Sequence, residues 1–127
     1  MWRENLPDQC PPLNACNIEE TVYRITADRT LAEEDFIPIA RLKPENKRYK
    51  DLCIAHAVSF FDSYDNARAA FARARERNKI LGNYIVQLSV NHAHGVSEYE
   101  DESGHHSFWF YRDFTIDQLE VLDLQEC

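Results

Sequence analysis

Residues 91–110, NHAHGVSEYEDESGHHSFWF, hold four of the chain's five histidines (His92, His94, His105, His106) and four carboxylates (Glu98, Glu100, Asp101, Glu102). Imidazoles beside carboxylates suit three kinds of chemistry: proton transfer, metal ligation and stabilisation of a developing positive charge. His92 and His94 are two residues apart. On an extended strand both rings point to one side and can reach one ion, with Glu98 as a further donor. Outside this stretch, Arg24 in TVYRITA carries a guanidinium that can fork onto a pyrophosphate. Ser59 in CIAHAVSFF carries a hydroxyl that can orient a sugar, and His56 in the same run reads as a hydrogen-bonded core histidine.

The spacing His92-x-His94-x3-Glu98 is similar to half of the cupin metal motif. The other half is missing, because no glycine precedes His92 at the required distance and a four-turn helix stands just upstream. The favoured reading is a polar hairpin tip beside a pocket, with the carboxylates mattering more than the histidines. No metal is favoured, and a metal-dependent enzyme built on His92, His94 and Glu98 is the least favoured of three functional readings.

The elements that must position these residues are legible from periodicity. Residues 1–20 include NLPDQCPPLNAC, with three prolines and no period, and form an irregular N-terminal arm. Residues 21–27, TVYRITA, read as a strand. The polar stretch 28–51 contains one helical turn in DRTLAEED, an extended edge segment in FIPIARL demoted by Pro38, and a charged loop in KPENKRYKD. CIAHAVSFF, 53–61, reads as a second strand. A helix follows over about 64–80, with Asp62 or Ser63 as cap and Ala67, Ala70, Phe71 and Ala74 as its apolar stripe. Gly82 is the expected stop. Residues 83–90, 106–111 and 119–124 are further strands, and TIDQL is one helical turn. The expectation is an α+β domain over 21–127, a mostly antiparallel sheet with one main helix packed on it.

Composition limits the choice of function. The chain has 127 residues, 44% hydrophobic and 28% charged, the size and mixture of one soluble domain. No apolar run approaches the roughly 18 residues of a membrane span, and the N-terminus lacks a secretory signal's apolar core, so a cytoplasmic protein is expected. The formal net charge of −8 is uneven. Residues 41–79 hold ten bases and five acids, a net +5, between acidic ends. An acidic surface repels phosphates and disfavours nonspecific nucleic-acid binding, while the basic block can hold one phosphate group or pair with the acidic ends. The four cysteines, Cys10, Cys16, Cys53 and Cys127, form no C-x-x-C pair. They read as reduced thiols, with a Cys10–Cys16 bridge open in an oxidising setting.

The element order resembles the ADP-ribosyltransferase superfamily of NAD-consuming toxins and modifiers. The resemblance rests on Tyr23-Arg24 in the first strand, Ser59 in VSFF followed by the helix DNARAAFARA, and Glu98, Glu100 and Glu102 in the EYEDE run before the strand HSFWFY. It implies that Arg24, Ser59, Glu100 and Glu102 are the catalytic set. It further implies that Tyr23, Arg24, Ser59, Phe60 and Trp109 contact NAD, with NAD consumed as co-substrate at the nicotinamide–ribose bond. That bond breaks through an oxocarbenium-like state, which a carboxylate stabilises. Ser103, Gly104, His105 and His106 stand between the acidic run and its strand, unlike the family pattern, and leave His105 or His106 as substitutes. The competing reading is a non-enzymatic acidic binding module, such as an antitoxin, immunity or regulatory protein, with a basic protein partner.

Overall fold

The computed structural model describes residues 1–127. Six strands form one antiparallel sheet: β1 (Glu20–Thr26), β2 (Val58–Phe61), β3 (Tyr84–Val90), β4 (Gly95–Glu100), β5 (His105–Phe110) and β6 (Glu120–Glu126). Their spatial order is β4-β5-β2-β1-β3-β6. Between β1 and β2 lie two one-turn helices, α1 (Ile39–Leu42) and α2 (Lys47–Lys50), and between β2 and β3 lies α3 (Tyr64–Glu76). The fold is therefore a single α+β domain with one main helix.

The strand period of two sorts the side chains. On one face Val22, Phe60, Val86, Leu88 and Phe108 join Phe36 and Phe114 from the loops in the larger core. Phe60 is fully buried, with ring centroids 5.5 Å from Phe108 and 6.3 Å from Phe36. Burying such a ring contributes about 2–3 kcal/mol. On the other face Ile25, Phe61 and Ile85 pack under Ala67 of α3. Helix α3 starts where expected, because Ser63 Oγ accepts from the Asn66 amide across 3.0 Å. It stops earlier than 80, because Asn78 takes a left-handed turn at φ 60° and ends it before Gly82.

The ladder between β1 and β2 has a single register pair, Tyr23 opposite Phe61, whereas β1 and β3 pair over seven positions. The sheet is thus two three-stranded halves joined at one point.

Several expectations are corrected. The strand expected over 53–61 is four residues long. Cys53–His56 is a 3-10 turn instead, closed by the Ala55 amide on the Leu52 carbonyl and the Ala57 amide on that of Ile54. His56 is half-buried with Nδ1 2.8 Å from the Leu52 carbonyl, not a core residue. FIPIARL is not extended throughout, because Pro38 serves as N-cap of α1, a place that needs no proline N–H. The charged loop contains α2, capped by Asn46. Within the stretch expected as a hairpin tip, Gly95–Glu100 is strand β4, Asp101–Gly104 form the turn to β5, and His92 and His94 lie in a turn before β4 rather than on an extended strand.

The cysteine reading is also corrected. Cys10 and Cys53 are bridged, with Cα atoms 5.4 Å apart, and Cys16 and Cys127 are free. The bridge ties the arm to the 3-10 turn, so the thiols are not all reduced. The arm is irregular but anchored. Cys16 exchanges backbone hydrogen bonds of 3.0 and 2.8 Å with Ser97 along the outer edge of β4, and Trp2 stacks on Tyr111. No helix is long and apolar enough to cross a membrane.

Candidate functional site

Antiparallel register assembles the site. In the β4–β5 hairpin Glu100 stands opposite His105, and Glu98 opposite Ser107. In the β2–β5 pair Ser59 stands opposite Ser107, and Phe61 opposite His105. Alternation puts Glu98, Glu100, His105, Ser107 and Ser59 on one sheet face, beside α3 rather than under it. Ser59 Oγ and His105 Nε2 are 2.9 Å apart. Ser103 Oγ donates to Glu100 Oε1 across 2.7 Å and holds that carboxylate at the turn.

Glu98, Glu100, Glu102, His105 and Ser107 line a cleft of 660 Å3, and Ser59 stands behind His105 without lining it. Its far wall is Asn14 of the arm and Ile54 of the 3-10 turn. A second hollow of 410 Å3 lies on the α3 side, edged by Arg73 and Arg77. Glu100 and His105 line both spaces. Burial pushes the His105 imidazole below its ordinary value, with the Glu100 carboxylate pulling partly the other way. The ring is therefore neutral near pH 7 and able to accept a proton.

The structure brings two of the residues chosen from sequence, Glu100 and Glu102, to the cleft, and places Ser59 next to it through His105. It places the others elsewhere. Arg24 does not face the cleft. Its Nε and Nη2 donate to the Asp35 carbonyl at 3.0 and 2.8 Å, and its Nη1 donates to the Ser59 carbonyl at 2.9 Å. Burial lowers this guanidinium to about 10, against the pull of the Asp35 carboxylate. With those donors committed inside the fold, Arg24 is a clamp and not a pyrophosphate fork. Tyr23 packs on Tyr64 at 4.6 Å and accepts from Gln87, while Phe60 lies in the core of the opposite face. Trp109 is 2% exposed and gives its indole N–H to the Cys53 carbonyl at 3.2 Å, so it offers no ring face to a ligand.

The alternative metal set does not converge either. His92 is exposed and 2.8 Å from Glu19. His94 is buried, with Nδ1 accepting from the Asn91 amide and its ring against Phe114. Glu98 faces the cleft, and no group of three His, Cys, Asp or Glu is arranged to hold a metal ion.

Sequence reasoning did not single out His105 as the partner of Ser59, nor Arg73 and Arg77 as a pair. The arginines carried a signal, since a spacing of four places them on one helix face. The Ser59–His105 contact carried none, because it depends on which strands pair and in what register. No protein-family model, no curated protein and no solved structure matches the chain.

Proposed function

We propose that the cleft cleaves the nicotinamide–ribose bond of NAD, as an ADP-ribosyltransferase or NAD glycohydrolase. The observation that carries this reading is charge separation across a shared wall. Glu100 and His105 divide an acidic cleft from a hollow edged by Arg73 and Arg77. NAD has the same polarity, with a cationic pyridinium ring on one side of a ribose and an anionic pyrophosphate on the other. The carboxylates suit the ring and the arginines suit the phosphates, the role first assigned to Arg24.

In this reading the C–N glycosidic bond breaks and its electron pair neutralises the nicotinamide ring. The Glu100 carboxylate faces the resulting oxocarbenium charge, and His105, held by Ser59, orients the ribose hydroxyls. Water or an acceptor nucleophile adds to the ribose carbon and gives its proton to the neutral His105 imidazole. The test is nicotinamide release from NAD by the purified protein, with Glu100→Gln and Ser59→Ala as variants. Loss of release in both folded variants supports the reading. Release that survives Glu100→Gln removes it.

A second reading has its own observation. Ile54 is exposed beside Glu98, Glu100, Asp101 and Glu102, an apolar and acidic rim. That surface suits a non-enzymatic module for a basic protein partner, or the acceptor of the transfer. Association with a basic protein that weakens as salt rises, without NAD consumption, distinguishes it.

A further inference from the structure

The adjacent histidines of β5 face opposite ways, and His106 serves a different space from His105. Because β1 and β2 pair only at Tyr23 and Phe61, the sheet opens beyond that pair toward Glu20 and Asp62. A hollow of 460 Å3 occupies the opening, lined by Ile18, Glu20, Thr21, Asp62, Tyr99 and His106. We propose that this hollow binds a primary ammonium group on an alkyl chain, held by Glu20, the His106 ring nitrogen and the Asp62–Tyr99 pair.

The donor set is specific. His106 is 3% exposed, and its Nδ1 is 2.7 Å from Ser97 Oγ, itself buried. Its Nε2 makes no hydrogen bond and stands 3.5 Å from Glu20 Oε2. An imidazole nitrogen without a hydrogen bond, on a largely buried side chain that lines an open space, is an unused polar site. Glu20 is exposed and bonded to nothing else. Asp62 is fixed: Tyr99 OH donates to Oδ2 across 2.6 Å, and Asn66 Nδ2 donates to Oδ1 across 2.7 Å. These bonds hold the Asp62 carboxyl below its ordinary value, so it stays ionised. Two negative charges thus border the hollow and no Lys or Arg lines it.

An ammonium answers each of these features. With Nδ1–H donating to Ser97, Nε2 presents a lone pair that accepts one N–H, and Glu20 accepts another. The Tyr99 and His106 rings, with centroids 4.7 Å apart, give the cation and its alkyl chain an aromatic wall. A metal ion fits less well, since both Asp62 oxygens already accept hydrogen bonds and no metal-holding trio exists. The ammonium can belong to a free diamine or to a lysine side chain.

The test is an NMR titration of uniformly nitrogen-15-labelled protein, read at the histidine ring nitrogens and the backbone amides. The probes are 1,4-diaminobutane, Nα-acetyl-lysine methylamide and the neutral 1,4-butanediol. A saturable shift of His106 Nε2 with either amine and none with the diol is expected, weakened about tenfold or more by Glu20→Gln. Tighter binding of the diamine assigns a free amine, and tighter binding of the lysine mimic assigns a side chain. Glu20 is exposed, so the β1 amide shifts of the variant report an unchanged fold. No saturable shift with either amine up to about 10 mM, or equal affinity in Glu20→Gln, overturns the proposal.

Discussion

Arg24 Nη1 donates to the carbonyl of Ser59 across 2.9 Å, joining β1 to β2 where the ladder between them has already ended. The same guanidinium holds the Asp35 carbonyl through two further bonds. A charged, enclosed clamp of this kind leaves carbonyl oxygens stranded when it is removed. Arg24→Ala is expected to cost roughly 2–4 kcal/mol of stability, read as a lowered urea midpoint. Loss of activity in that variant therefore needs a stability measurement beside it. An unchanged midpoint would show that Arg24 is free for another role.

The arginine-edged hollow makes a different prediction. Arg73 and Arg77 are exposed, so Arg73→Ala and Arg77→Ala are expected to change stability by less than about 0.5 kcal/mol. Each is expected to raise KM for NAD about tenfold with kcat little changed, if the phosphates lie there. Glu100→Gln is expected to do the reverse, lowering kcat roughly 100-fold or more. Steady-state kinetics with both sets of variants separates the two roles.

Three histidines set the response to acid. Burial is the first cause lowering His94, His105 and His106; nearby Glu100 raises His105, and Glu20 and Asp62 raise His106, in partial opposition. A group whose folded value lies below its unfolded value near 6.5 binds more protons when unfolded. Its contribution is intact above that pH and is lost as pH falls toward the folded value. The melting temperature should be flat from pH 8 to about pH 7 and decline below about 6.5. A variant with Gln at all three positions should lose that slope. A melting temperature that rises as pH falls from 7 to 5 would contradict the assignment.

The Cys10–Cys53 bridge closes a loop with a sequence separation of 43 residues. Chain-entropy reasoning gives such a bridge roughly 4 kcal/mol. Its reduction, or Cys10→Ser with Cys53→Ser, should lower the unfolding midpoint by that order. It should also loosen Asn14 and Ile54, the far wall of the cleft. Mass spectrometry of the alkylated protein checks the pairing directly. Four alkylated thiols without prior reduction would refute it.

The fold was legible where a local signal was strong and misread where a tertiary contact prevailed. The alternation in YIVQLSV and the cap at Ser63 needed no knowledge of neighbours, and both appear in place. CIAH looked like strand because its residues are apolar, but the disulfide and the Trp109 hydrogen bond at Cys53 fasten it as a turn. EYEDE looked like loop because it is charged. Its first half is strand, with Glu98 and Glu100 turned to the cleft and Tyr99 turned to the opposite hollow. Ser59 and Glu100 were chosen by chemical type, and strand register puts both on one sheet face beside His105. Arg24 and Trp109 were misassigned because burial, not residue type, decides whether a donor is available.

The single Tyr23–Phe61 pair has a consequence for motion. Amide protons of β1 and β3, locked in a seven-position ladder, and those of β2 and β5, locked in a four-position one, belong to separately cooperative units. Hydrogen exchange should therefore show two protection classes divided between β1 and β2, with the Arg24 side chain acting as the hinge pin between them.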